Sequence, residues 1–272
     1  MPVSSYNPIQ DMIVTTGDTP SPAVIERAEE FAYTHKLKYA PRGRLSIARL
    51  AEVHEAVDVL VILHEAVRLI RPGRTPMSFH PSMGLIRAKR VLKQESDPLL
   101  TIARVSPGDQ ILDCTAGMGS DALVLSMGAG RTGQVTALES SFPVYALLRE
   151  GMSEYQSGVP EIDEALRRID VRYSGHLEWL SQLEDRSVDV VYFDPMFRDP
   201  LLDSDSIGPL RSYANPDPLS EVSIEQACRV ARKTVILKEK RSSAEFRRLG
   251  FEAETRGQKK TVYGVINIDS AT

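Results

Sequence analysis

The stretch Asp113-Cys114-Thr115-Ala116-Gly117-Met118-Gly119-Ser120-Asp121-Ala122 decides the fold class of this 272-residue chain. A short apolar run, 110–114, predicts a β-strand, and the helical pattern 121–127 follows the two glycines. Glycine at 117 and 119 lets the backbone turn tightly and approach a ligand, while the first helical turn offers free N–H groups. A strand, a glycine turn and a helix in this order predict a ligand-binding turn at one edge of an α/β sheet.

Strand-like and helix-like segments alternate along the rest of the chain, which is typical of a parallel sheet covered by helices. The predicted strands after the turn are 133–139, 169–173, 188–193, 235–238 and 261–268, and the predicted helices are 142–152 and 176–183. We therefore predict a doubly wound, Rossmann-like α/β domain over residues 81–272. A small N-terminal α/β subdomain is predicted over residues 1–80, with strands 12–16 and 59–63 and helices 21–35 and 46–57.

Composition excludes several classes of protein. Apolar residues make up 42% and charged residues 26%, which excludes disorder throughout the chain. Cys114 and Cys228 are too few for a disulfide framework. The apolar run Val59–Leu63 is too short to cross a bilayer, and the first residues carry no cationic start and apolar segment of a secretory signal. We expect a cytoplasmic protein with no membrane partner, and the oligomeric state stays open.

Two His-Glu pairs share the start of a zinc-binding motif. His54-Glu55 and His64-Glu65 begin like H-E-x-x-H, but the second histidine is missing from both. Two ligands therefore do not share a helix face, and we predict no metal.

The net charge of −4 hides an uneven distribution. Residues 111–227 carry 8 basic and 20 acidic side chains, whereas residues 228–272 carry 11 basic and 5 acidic ones. Such asymmetry matters more than the total when a polyanion is considered as a partner. Basic residues on solvated faces explain the pattern equally well.

Two acids at predicted strand ends favour one cofactor over another. Asp113 ends the strand before the glycine turn, close to where a dinucleotide would place its pyrophosphate, and a carboxylate there would repel it. The same carboxylate suits a ligand with an amino group and a sulfonium, as in S-adenosylmethionine (SAM). Glu139 ends the next strand, where an acid bonds both ribose hydroxyls. The two acids predict SAM rather than NAD, which the glycine pattern alone would also allow.

A second motif, Asp194-Pro195-Met196-Phe197, follows the predicted strand 188–193. Open α/β sheets bind ligands beyond the carboxyl ends of their strands. A polar residue, a proline and then an aromatic residue is the pattern of methyltransferases that act on amino groups. Asp194 and the carbonyl of Pro195 would accept the two hydrogens of an exocyclic amine and direct its lone pair. Phe197 would stack on the base, which is worth about 1–3 kcal/mol.

Together, the stretch 113–122, Leu138-Glu139 and 194–197 resemble the family of SAM-dependent methyltransferases that modify guanine N2 in small-subunit ribosomal RNA. The resemblance covers about 111–240 and implies a class I methyltransferase sheet with SAM as cofactor. The cofactor residues that it implies are Ser120, Asp121, Glu139, Ser140, Gly175, His176 and Asp194. The strand end and the glycine turn add Asp113, Thr115, Ala116, Gly117 and Gly119 as predicted cofactor residues.

The chain also departs from that family. Ser120 replaces an arginine, and Gly175-His176 replaces a serine pair. His176 either caps its helix or contacts the adenine. Residues 1–80 do not resemble the better-known members, and their role stays open.

Basic residues in two segments are candidates for contacts with RNA phosphates. One segment is the predicted basic helix 85–94, and the other is the basic tail. The candidates are Arg87, Lys89, Arg90, Lys93, Lys238, Arg241, Lys259 and Lys260. The family resemblance implies methylation of the exocyclic amine of a guanine in ribosomal RNA, which is the preferred function.

Three other functions stay open at this point. A SAM-dependent methyltransferase of a small molecule or a protein is favoured by the acidic segment 111–227. A non-catalytic RNA-binding protein with a SAM-type fold is disfavoured by the intact motif 194–197. An NAD-dependent oxidoreductase is disfavoured by Asp113.

Overall fold

A computed structural model of the protein describes residues 9, 11–195, 209–213, 217–254 and 260–268. Their strands are β1 (Met12–Thr16), β2 (Lys38–Tyr39), β3 (Asp58–Ile62), β4 (Val67–Ile70), β5 (Met77–Ser78), β6 (Gln110–Asp113), β7 (Gln134–Glu139), β8 (Ile169–Tyr173), β9 (Val188–Phe193), β10 (Ala231–Lys240), β11 (Glu252–Ala253) and β12 (Thr261–Asn267). Their helices are α1 (Pro22–Thr34), α2 (Ile47–Val53), α3 (Ser82–Leu92), α4 (Pro98–Ile102), α5 (Ser120–Ala129), α6 (Phe142–Glu154), α7 (Pro160–Arg167), α8 (His176–Gln182), α9 (Glu221–Val230) and α10 (Glu245–Arg248). Several helices begin where a short polar side chain accepts a backbone N–H of the first turn, as Ser21, Ser46, Asp97 and Ser220 do.

The chain divides into two units. The first unit contains the described residues up to His80, the segment Ser141–Gln156 and the short segment that holds Tyr213. The second unit contains the other described residues from Pro81 onward. The two units are therefore discontinuous in sequence, since two later segments also join the first unit, which the sequence analysis did not predict.

The sheet of the first unit has the strand order β2-β1-β3-β4-β5. Strand β1 runs parallel to β2 and β3, whereas β4 is antiparallel to β3 and β5. Strands β1 and β3 lie inside the sheet and are buried along their whole length. Both therefore carry several adjacent apolar residues rather than an alternating pattern, with Thr15, Thr16 and Asp58 as buried polar exceptions.

Helix α6 belongs to the first unit because its side chains pack there. A Cβ at Gly151 would lie 2.1 Å from Cγ of Phe79, so this close approach requires glycine. In the same unit, Nε of Arg27 lies 2.8 Å from Oε1 of Glu150. The sequence predicted this helix, but these partners are distant in the chain and leave no local signal.

The sheet of the second unit has the strand order β11-β12-β10-β9-β6-β7-β8. The five strands from β10 to β8 are parallel, and β12 pairs antiparallel with β10 and β11. We call the edge where these five strands end the carboxyl edge and the opposite one the amino edge. The strand order reverses at β6, which lies between β7 and β9. The predicted Rossmann-like α/β fold is confirmed.

Some elements differ from the predictions. Strand β10 is longer than the predicted 235–238, and α3 begins at Ser82 rather than at 85. Helices α4, α7 and α9 and strand β4 were not predicted at all. No helix in the described part of the chain is long and apolar enough to cross a bilayer.

Candidate active site

The candidate site lies at the carboxyl edge, where the strand order reverses. Asp113 ends β6, Glu139 ends β7, and Asp194 directly follows β9. Because β6 pairs with both β7 and β9, the three acids belong to adjacent strands. Open α/β sheets bind their ligands at such a reversal point.

The glycine turn between β6 and α5 is held by both neighbouring strands. The N–H of Cys114 donates to the carbonyl of Tyr192 on β9 at 2.9 Å, and the N–H of Ala116 donates to the carbonyl of Leu138 on β7 at 2.9 Å. Gly117 and Gly119 have φ values of 52° and 72°, a region that favours glycine. The turn is therefore held by hydrogen bonds to both β7 and β9.

Glu139 reaches this turn from β7. The N–H of Gly117 donates to its Oε2 at 3.1 Å, and the side chain is half-buried. Ser140, the next residue, is exposed. A carboxylate held in this way beside a glycine turn is placed to accept hydrogen bonds from a pair of ribose hydroxyls.

Asp113 lies beneath the turn rather than open to a ligand. It is 1% exposed, and the N–H of Thr115 donates to its Oδ1 at 3.0 Å. Burial, with the nearby carboxylates of Asp121 and Asp194, raises the pKa of Asp113 to about 8. Contact between this carboxylate and the cofactor stays a prediction, and the structure shows Asp113 hydrogen-bonded within the turn.

Asp194 is held at two points. Its N–H donates to Oγ1 of Thr115 at 2.6 Å, and its Oδ2 accepts from Nζ of Lys238 at 2.7 Å. Its side chain keeps 27% of its surface exposed. Burial and the neighbouring Asp121 raise the pKa of Asp194 to about 6, although Lys238 opposes the shift.

Asp121, in the first turn of α5, is the centre of a buried charge cluster. It accepts hydrogen bonds from Nη1 of Arg87, from Nζ of Lys238 at 2.8 Å and from the hydroxyl of Tyr192 at 2.8 Å. Burial alone would raise the pKa of Asp121, but Lys238 and Arg87 hold it well below its usual range. We expect this carboxylate to be charged whenever the protein is folded.

Arg87 extends the cluster to a further carboxylate. Its Nε and Nη2 donate to both oxygens of Asp97, each at 2.8 Å. Charges of alternating sign therefore run through Asp97, Arg87, Asp121, Lys238 and Asp194. The prediction that Arg87 and Lys238 contact RNA phosphates is corrected by this geometry, because each cation lies between two carboxylates.

The other predicted phosphate contacts have different surroundings. Lys89 and Lys93 are exposed on α3, whereas the exposed Arg90 pairs with Glu95 at 2.7 Å. The N–H of Arg241 donates to the carbonyl of Lys260 at 2.9 Å, so these two residues meet just beyond the carboxyl edge. Lys259 lies outside the described residues, as does the predicted catalytic residue Phe197.

The turn after β8 has open space beside it. A Cβ at Gly175 would meet nothing within 4 Å. Nε2 of His176 lies 3.1 Å from Oγ of Ser223 on α9, so this side chain joins α8 to α9, and burial lowers its pKa. Tyr173 and Leu177, on either side of Gly175 in the chain, are 43% and 39% exposed. Sequence analysis did not identify these two side chains as candidate site residues. Their only signal in the sequence is their proximity to Gly175.

Helix α3 also supports the glycine turn. Sequence analysis did not predict these contacts. The hydroxyl of Ser120 donates to the carbonyl of Pro81 at 3.0 Å. A Cβ at Gly84 would lie only 2.4 Å from the carbonyl oxygen of Ser120. Pro81, Gly84 and Arg87 recur every three residues and contact the two residues that begin α5.

The residues at this edge fit SAM. Half-buried Glu139 suits the ribose, the space beside Gly175 suits a flat ring, and the surplus of carboxylates over cations suits a positively charged ligand. Among the described residues, no group of three His, Cys, Asp or Glu side chains is placed to hold a metal ion.

Comparison with known proteins points to the same cofactor. Residues 86–263 match the family described as "Putative SAM-dependent methyltransferase". The chain is 40% identical, over 93% of its length and 98% of the other, to the Bacillus subtilis (strain 168) protein called "Uncharacterized protein YpiP". A SAM-dependent methyltransferase of Neisseria gonorrhoeae has the same fold, with a TM-score of 0.62 and 20% identity over 96% of this chain and 97% of that one.

A more distant relative has a more specific name. The chain is 34% identical to "Ribosomal RNA small subunit methyltransferase J" of Marinobacter nauticus, over 49% of this chain and 48% of that enzyme. The match thus spans about half of each protein.

Proposed function

The chain belongs to the SAM-dependent methyltransferase family, and from that membership we propose that it methylates the exocyclic amine of a guanine in small-subunit ribosomal RNA. The proposal rests chiefly on Asp194, a partly exposed carboxylate at the reversal point of the sheet, directly followed by Pro195. The similarity to ribosomal RNA small subunit methyltransferase J over about half of both chains supports RNA as the substrate class. A ribosomal RNA substrate also implies a cytoplasmic enzyme.

When bound, SAM supplies an electrophilic methyl group. Glu139 binds its ribose, and the glycine turn with Gly175 binds the rest, which fixes the direction from which an amine can approach. Ser120 and Asp121 hold the start of α5 in place beneath it.

Asp194 and the carbonyl of Pro195 prepare the amine. Oδ1 of Asp194 and the carbonyl oxygen each accept one hydrogen of the exocyclic NH2 group, which directs the nitrogen lone pair at the methyl carbon. Methyl transfer would form the N–C bond as the S–C bond of SAM breaks, and Asp194 would take the excess proton from the nitrogen. A pKa of about 6 keeps Asp194 ionised near pH 7.5 and still basic enough to take that proton. Phe197 remains the proposed stacking residue for the base.

Exposed cations supply the phosphate contacts in this proposal. Lys89 and Lys93 on α3, with Arg241 and Lys260 beyond the carboxyl edge, carry charge that is open to solvent in whole or in part. Such contacts position the RNA and provide salt-dependent affinity, but they do not read its sequence.

The test is transfer of labelled methyl from SAM to small ribosomal subunits purified from cells that lack this protein. We expect label in RNA, and digestion to nucleosides should give N2-methylguanosine. Asp194→Asn should lower the rate at least about 100-fold, because it removes an ionisable acceptor.

Asp189→Asn is the matched control, since Asp189 lies near the start of the same strand, β9, and pairs with Arg232 at the amino edge. We expect it to keep the wild-type rate. Label in protein instead of RNA, or wild-type activity in Asp194→Asn, would contradict the proposal. Transfer only to a small molecule would favour the alternative that the acidic segment 111–227 suggested.

A further inference from the structure

Lys238 is the one residue of the charge cluster that touches both Asp121 and Asp194. Its Nζ lies 2.8 Å from Oδ2 of Asp121 and 2.7 Å from Oδ2 of Asp194. Burial alone would lower the pKa of Lys238, but the two carboxylates hold it above its usual range. The ammonium is therefore a permanent cation beside the proposed catalytic group.

We propose that Lys238 is a positioning residue for methyl transfer, since its ammonium binds Oδ2 of Asp194 and leaves Oδ1 to accept from the substrate amine. The inference rests on the proposed function, because it assigns Asp194 to the amine. Thr115 fixes the backbone of Asp194 and Lys238 fixes one carboxylate oxygen, so the direction of the other oxygen is determined.

The remainder of the cluster keeps Lys238 in place. Asp121 accepts from Arg87 and Tyr192 as well as from Lys238, so it cannot rotate without losing several hydrogen bonds. Arg87 is in turn held by both oxygens of Asp97. The row of alternating charges from Asp97 to Asp194 thus connects α3 and the start of α4 to the proposed reacting group.

The charge of Lys238 also sets when Asp194 is ionised. The charged or titratable groups that face Asp194 are Lys238 on β10, Asp121 on α5, Asp113 on β6 and Tyr192 on β9. Lys238 is the cation among them and favours the carboxylate form, whereas the carboxylates disfavour it. Removing the cation should therefore raise the pKa of Asp194.

The first measurement is an NMR titration of protein labelled with 13C at the aspartate carboxyl carbons, with Asp194 assigned by its loss in Asp194→Asn. We expect Lys238→Met to raise the titration midpoint of Asp194 by about one pH unit or more, as loss of an adjacent cation should. Lys238→Arg should restore the midpoint because it restores the charge. The titration needs no RNA, so it tests the role of Lys238 separately from the choice of substrate.

The second measurement is the pH profile of methyl transfer. We expect Lys238→Met to move the acidic limb of kcat/KM upward by the same amount and to lower kcat about 10- to 100-fold near pH 7, with the KM for SAM changed little. Lys238→Arg should keep the limb in its wild-type position but recover only part of kcat, because a planar guanidinium cannot reproduce the contacts of an ammonium.

The matched control is Lys233→Met on the same strand, where Lys233 pairs with Asp109 at 2.6 Å at the amino edge. We expect this variant to lose a comparable ion pair. Both the NMR midpoint of Asp194 and the pH profile of methyl transfer should stay unchanged. An unchanged midpoint in folded Lys238→Met, an equal shift in Lys233→Met, or a shifted midpoint with an unchanged pH profile would overturn the assignment.

Discussion

Cations and carboxylates are paired differently at the amino and carboxyl edges of the second unit's sheet. At the amino edge, two cations each pair with one carboxylate: Lys233 pairs with Asp109 at 2.6 Å, and Arg232 holds both oxygens of Asp189 at 2.9 Å. At the carboxyl edge, two cations are shared by three carboxylates. These five residues are Asp97, Arg87, Asp121, Lys238 and Asp194.

The difference separates stability from function. One-to-one pairing satisfies each of these four charges locally at the amino edge. A surplus of buried carboxylates costs stability, because burial disfavours the charged form and like charges repel. The surplus lies beside the proposed SAM site, where the positive charge of this cofactor would offset it.

The largest expected effect concerns the stability of the two edges. Asp121→Ala removes a carboxylate that is 8% exposed and leaves Arg87, Lys238 and the hydroxyl of Tyr192 without this acceptor. We expect the free energy of unfolding to fall by about 3–5 kcal/mol, as when one partner of a buried ion pair is removed. Asp189→Ala, at the amino edge, faces a cation that is 38% exposed and should cost about 1 kcal/mol. Urea unfolding of both variants measures the difference, and equal losses would mean that the two edges do not differ in this way.

Sequence reasoning found the parts of the site that local patterns encode. The strand β6, the turn at Gly117 and Gly119, and the strand-end position of Glu139 follow from apolar runs and glycines that are close together in the chain. The cofactor followed from the same signals. The phosphate contacts predicted for Arg87 and Lys238 were wrong because their carboxylate partner is distant in the sequence. Asp121 is 34 residues from Arg87 and 117 residues from Lys238.

A sequence does not distinguish a cation that pairs with a buried carboxylate from one that binds a phosphate. Lys238 and Lys260 are both lysines in the basic tail, but only their burial and partners distinguish them. Likewise, Gly84 gives no turn signal, because its role is to let α3 approach Ser120 closely.

A smaller effect is expected from the two tightly packed glycines, one at each edge. Gly84→Ala would place a Cβ 2.4 Å from the carbonyl oxygen of Ser120, and Gly133→Ala would place one 2.5 Å from that of Ala129. Each should destabilise the protein by about 1–3 kcal/mol through overpacking. Only Gly84→Ala displaces the turn at the carboxyl edge, so we expect it alone to weaken SAM binding, by about tenfold in a calorimetric titration. A similar loss of affinity in Gly133→Ala would assign the effect to general destabilisation.

The smallest expected effect is a pH-dependent preference between SAM and its demethylated product. The pKa of Asp113 is raised to about 8, so this group is mostly neutral at pH 6.5 and mostly ionised at pH 9. Its negative charge favours SAM, which carries a sulfonium, over S-adenosylhomocysteine, which does not. The ratio of the two dissociation constants should therefore shift a few-fold toward SAM as pH rises through 8. Asp113→Asn should abolish this trend, whereas Asp109→Asn at the amino edge should keep it. A trend that survives in Asp113→Asn would place the responsible charge on another residue of the carboxyl edge.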